Sequence, residues 1–109
     1  MADRELLELA AKAAGITSIN EWYDDVGGIA VGIKSGNVVF WNPLTDDGDA
    51  LRLAVKLSIQ NGQDTTRNKA WAGLLGETIM HMEDYNGDPY AATRRAIVRA
   101  AAEIGKTMP

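Results

Sequence analysis

The sequence predicts an α+β domain in which a small antiparallel sheet is covered by helices, an α/β/α-type sandwich in the order α-β-β-α-β-β-α. Three observations predict it. Residues 41–57 and 87–105 each set helix-starting chemistry directly before an apolar stripe at helical spacing. Two short runs of β-branched and aromatic residues, Ile29–Ile33 and Val38–Trp41, flank a glycine-containing turn. The first of those runs has small or apolar residues on both faces, the pattern of a strand covered from two sides.

In chain order, Asp3 opens the first helix, because its carboxylate can accept from free first-turn amides. Leu6, Leu9, Ala10 and Ala13 form its buried stripe, and Gly15 supplies the left-handed stop. Ile16 to Tyr23 reads as a connection or a short strand, and Asp24–Gly28 as a turn. Lys34-Ser35-Gly36-Asn37 joins the hairpin arms, with Gly36 and Asn37 suited to positive φ. Pro43 lacks the amide a ladder needs and ends the second arm.

Thr45 or Asp46 then caps the second helix, with Asp46, Asp47 and Asp49 crowding its positive end. Ala50, Leu51, Ala54 and Leu57 form its core stripe, and Arg52 and Lys56 lie outward. Residues 58–60 suit a short strand, and residues 70–75 and 78–82 suit two more. In the last, Thr78, Met80 and Met82 alternate with Ile79 and His81. A helix over 70–82 is the competing reading, weakened by Gly73 and Gly76. Tyr85-Asn86-Gly87 is a turn, Asp88 caps the last helix and Pro89 fills its first position. Tyr90, Ile97, Ala101 and Ile104 face the core, Arg99 pairs with Glu103 one turn on, and Gly105 ends the helix.

At 109 residues the chain reads as one domain, 1–109, with one modest core. It has no cysteine, so disulfides and thiolate chemistry are excluded and a cytoplasmic setting fits. The opening Met-Ala-Asp-Arg-Glu-Leu-Leu lacks signal-peptide architecture, and no apolar run is long enough to span a bilayer. A formal net charge of −4 repels phosphate backbones, so direct nucleic-acid binding is not expected.

The stretch Trp41-Asn-Pro-Leu-Thr-Asp-Asp-Gly-Asp-Ala-Leu-Arg-Leu53 closely resembles the phage ABA sandwich domain family of small bacteriophage and prophage proteins. Gly87-Asp-Pro-Tyr-Ala-Ala-Thr-Arg-Arg-Ala-Ile-Val-Arg-Ala100 is similar to that family's closing motif, and Arg4–Gly15 to its first helix. The likeness spans most of the chain and weakens between Ser58 and Asn86. It implies helices over an antiparallel sheet, phage origin and a place in the host bacterial cytoplasm. It implies no mechanism.

Little in the sequence is equipped for catalysis. Asp46, Asp47 and Asp49 read as helix-start chemistry rather than a cation site. His81-Met-Glu83 sets imidazole and carboxylate on one side of a strand, but the cysteine ligands of a zinc deaminase are absent. Gly27, Gly28 and Gly32 form neither a dinucleotide nor a Walker loop. No cofactor is expected.

Binding is the better expectation. Trp22, Tyr23 and Trp71 lie in less regular stretches and suit an interface or a stacking pocket. Trp41 reads as a core or rim residue. Arg94, Arg95 and Arg99 suit an anionic ligand or acidic partner, or else a solvated, ion-paired helix face. The leading expectation is a non-enzymatic phage accessory protein that binds a host protein and inhibits an antiviral defence. A nucleotide-signal sponge and a minor virion component are the alternatives, and self-association into a homo-oligomer fits small sheets with open edges.

Overall fold

One helix, Pro89–Thr107, organises the molecule. The structure, a computed structural model, describes residues 2–16, 21–23, 27–74, 76 and 80–109, with the side chains of 21–23 and 32–34 outside the description. Among the described residues the order is α1 (Asp3–Ala13), β1 (Glu21–Tyr23), β2 (Gly28–Lys34), β3 (Asn37–Trp41), α2 (Asp47–Leu57), β4 (Ile59–Asp64), β5 (Lys69–Leu74), β6 (His81–Asp84) and α3 (Pro89–Thr107). The α+β class and the alternation of helices with strand blocks are as expected.

The strands do not form one sheet. They make two antiparallel sheets, β1-β2-β3 and β4-β5-β6. The first block has a third short strand, β1, within the stretch read as a connection or a short strand; the second has β4, β5 and β6, with β4 running on past the short strand expected at 58–60. Residues 70–74 and 81–82 are therefore strand and not helix. The strand expected over 78–82 lies later, at His81–Asp84; Thr78 and Ile79 lie outside the described residues, as do Asp24 and Asp25 of the expected turn.

Helix starts follow side-chain chemistry in two cases of three. The Asp46 carboxylate accepts from the Asp49 amide at 2.8 Å, and the Asp88 carboxylate accepts from the Ala91 amide at 3.0 Å. These satisfy first-turn donors that have no partner inside the helix. The first helix differs from expectation. Its cap is Ala2, without a side-chain bond, and Asp3 stands one position inside, where its carboxylate accepts from Arg95 instead. At the other end Gly15, at φ +77°, closes a Schellman motif: its amide donates to Lys12 O and the Ile16 amide to Ala11 O.

Gly105 is not a stop. The helix runs two residues further, and a Cβ at Gly105 would collide with the Leu9 backbone carbonyl. The glycine lets α1 and α3 touch backbone to backbone, which explains its burial. In the β2–β3 hairpin, Lys34 pairs with Asn37, leaving Ser35 and Gly36 as a two-residue turn, both at positive φ. That geometry matches a type I′ turn, so Ser35, not Asn37, takes the left-handed conformation.

The core follows α3 on three sides. Ala96, Ile97, Ala100 and Ala101 meet Leu6, Leu7, Ala10 and Ala11 of α1, Ala50, Leu53 and Ala54 of α2, and Ile59 and Ala72 of the second sheet. Two core assignments are corrected. Leu51 is 64% exposed, and Leu53 takes the inward place expected for it; Tyr90 is 71% exposed. Ile29 and Ala30, adjacent residues on opposite faces of β2, are both buried, consistent with cover on two sides. The covering stops there, because Val38, Val39 and Phe40 of β3 are exposed.

Candidate functional site

The three arginines expected to bind a ligand or partner are engaged inside the fold. Along α3, Arg95 and Arg99 stand one turn apart over β6, where His81 and Glu83 point from the same face of the strand. Arg95 Nη1 donates to Asp3 Oδ1 at 3.0 Å, and its Nε lies 3.4 Å from Glu83 Oε1. Arg99 Nη1 donates to the other Glu83 oxygen and lies 3.4 Å from the Met82 carbonyl. The expected Arg99–Glu103 pair gives way to this one, and Glu103 accepts from Lys106 at 3.0 Å. The Glu83 carboxylate between two helix guanidiniums ties α3 to the sheet, and Asp3 ties α1 to α3 through Arg95.

This cluster lines a cleft of about 380 Å³ with His81 and Lys106. Burial, and after it the nearby Arg99 cation, push the His81 imidazole below its ordinary pKa; Glu103 and Glu83 pull the other way. His81 is thus held neutral near pH 7, and the formal charges around it are cross-paired. Among the described residues no group of three histidine or acidic side chains is placed to hold a metal ion.

Arg94 faces elsewhere. Its Nε donates to the Leu44 carbonyl at 2.8 Å and its Nη1 to Asp47 Oδ1 at 2.6 Å, so it clamps α3 to the start of α2. The acidic run behaves as helix-start chemistry with further ties. Asp46 caps, Asp47 takes Arg94, and Asp49 accepts from the Asn42 amide at 3.0 Å and from Arg52 at 2.7 Å.

The aromatic candidates do not join the arginines. Trp71 is half-buried on the face of the second sheet turned away from α3, in a row with Gly62 and Met82. Its indole lies over Gly62, where an added Cβ would come within 2.6 Å of the ring. Met80 and Met82 extend this face and are exposed. Trp22 and Tyr23 belong to β1 of the other sheet, and their side chains lie outside the described residues. Trp41 is a buried core residue, as expected.

The feature missed in the sequence lies between α2, α3 and the end of β4. A groove of about 530 Å³ runs there, floored by Ala50 and Ile97 and flanked by Leu51 and Tyr90, with Tyr85 and Thr93 along it. Val55, one turn beyond Leu51, is 70% exposed and continues its apolar stripe. A signal was present: α2 carries two apolar stripes, 50-53-54-57 and 51-55, and only one can face the core. Large apolar side chains grouped at a surface mark contact sites more often than scattered ones do.

No protein-family model, no curated protein and no solved structure matches this chain. Among the described residues no helix is long and apolar enough to cross a membrane.

Proposed function

We propose that this chain is a small, non-enzymatic accessory protein encoded by a bacteriophage, which works in the host bacterial cytoplasm by docking onto a host protein and blunting an antiviral defence. The observation that carries the docking reading is a contrast of surfaces. Arg94, Arg95 and Arg99 are engaged with carboxylates and carbonyls of the same chain, whereas Leu51, Val55, Tyr90, Met80 and Met82 stand exposed. Apolar side chains left in water gain free energy when a partner covers them, and aromatic and methionine side chains are enriched at such contacts. The phage setting rests on the sequence resemblance alone.

Arginines already held by carboxylates suit an anionic signal molecule poorly, because a ligand would first have to displace those partners. A docking protein needs no such rearrangement. The reading is tested by photo-crosslinking in bacteria, with a crosslinking amino acid placed at Tyr90, at Met82 or at the exposed control Glu5. Docking predicts one recurrent adduct from Tyr90 or Met82 and none from Glu5. Absence of any adduct from either apolar face across several hosts contradicts it.

A further inference from the structure

The groove between α2 and α3 combines an apolar floor with an acidic rim. Leu51 and Tyr90 flank it, and Ala50 and Ile97 lie beneath them, already packed in the core. A partner side chain entering here meets Leu51, Tyr90, Ala50 and Ile97 as its apolar contacts and a polar side made by Asn61, Gln63 and Thr65. Such an arrangement can desolvate an anchor residue and still pair its backbone. At one end the chain runs through Asp46 and Asp47, which pair with Arg52 and Arg94 yet keep their carboxylates 59% and 73% exposed, open to a further cation. The exposed Asp88 starts α3 beside Tyr90. Among the described residues lining the groove Arg94 is the one cation, its side chain only 17% exposed and holding Leu44 and Asp47; Arg52, beside Asp46, lies outside the lining.

We propose that this groove is the docking site for a segment of the partner protein that carries an apolar anchor flanked by lysine or arginine. The inference rests on the docking reading above and adds the surface and the partner's chemistry. The anchor inserts between Leu51 and Tyr90, and the flanking cations meet Asp46, Asp47 and Asp88. Complementary charge of this kind sets the register of the segment and speeds its encounter. A second copy of this chain is a poor occupant, because it would bring one acidic rim against another in a chain of net charge −4. A nucleic-acid backbone is repelled by the same carboxylates.

Three fluorescein-labelled peptides of about twelve residues test this by anisotropy. The first has a Leu-Phe anchor between lysines and arginines, the second the same anchor between glutamates, and the third the basic flanks around serines. The intact chain should bind the first at least about tenfold more tightly than either other, and raised salt should weaken that binding. Leu51→Asp and Tyr90→Asp, both exposed and so expected to fold, should each weaken it at least about tenfold. Equal binding of the acidic peptide, undiminished binding by both variants, or no binding of the basic peptide overturns the proposal. So does concentration-dependent dimerisation that either variant abolishes. Adducts from Met82 but none from Tyr90 in cells would refute this site and leave the docking reading standing.

Discussion

The two sides of α3 carry related side chains put to different uses. On the side facing β6, Arg95 and Arg99 converge on Glu83 and Asp3, and these four charges find their partners across elements. On the side facing α2, Arg94 makes one clamp, and beyond it Leu51 and Tyr90 remain in solvent. The first side is finished within the chain. The second leaves large apolar side chains in solvent. An arginine on a helix is therefore weak evidence of a ligand until its partners are known, whereas an exposed leucine and tyrosine flanking a groove retain free energy that only a partner can draw on.

If α3 is an anchored strut, jamming its closest contact should do the most harm. Gly105→Ala places a methyl group against the Leu9 carbonyl, and neither backbone can yield without moving a helix. A loss of about 3 kcal/mol or more is expected, seen as a fall in Tm of about 10 °C or more. A Tm within a degree of the parent would mean that α1 and α3 are not in backbone contact.

Removing the carboxylate shared by the two arginines comes next. Glu83→Ala leaves Arg99 with one long carbonyl contact and Arg95 with Asp3 alone. Because both guanidiniums are partly open to solvent, a loss of about 1–2 kcal/mol is expected in denaturant unfolding. No loss would show that the charged side is decorative and would reopen it as a binding surface. On the groove side, Asp88→Ala removes the cap that starts α3 beneath Tyr90 and should lower stability by about 1 kcal/mol by the same measurement.

The smallest effect is a pH dependence. His81 is held below its ordinary pKa of 6.5, so the unfolded chain takes up the imidazole proton more readily than the folded one. Stability should therefore decline as pH falls through about 6.5 and stop declining below the folded-state value. His81→Gln should flatten that part of a stability–pH curve. An unchanged curve would show that the cleft beside β6 is wetter than its lining suggests.

What the sequence made legible was local chemistry. Asp46, Asp88 and Pro89 mark helix starts because their role depends on residues three positions away, and Gly15 marks a stop for the same reason. What it hid depends on distant neighbours. Gly105 resembles a stop until Leu9 is seen crossing it. Arg99 has Glu103 in reach on its own helix, yet Glu83 arrives from a strand sixteen residues earlier. Leu51 and Leu53 both belong to apolar stripes of α2, and only the position of α3 decides which turns inward. The groove was invisible for that reason: its side chains were assigned to the core by spacing alone. Of the three candidate arginines only Arg95 and Arg99 come together, Arg94 turns toward α2, and their charge partners lie on three other elements.

The most direct test sets the two sides of α3 against each other in one experiment. Arg99→Met and Tyr90→Asp are each measured for Tm and for partner capture, using a crosslinking residue at Leu51. Arg99→Met is expected to lower Tm and still capture the partner, and Tyr90→Asp to keep the parental Tm and capture nothing. Capture lost with Arg99→Met and retained with Tyr90→Asp would contradict it.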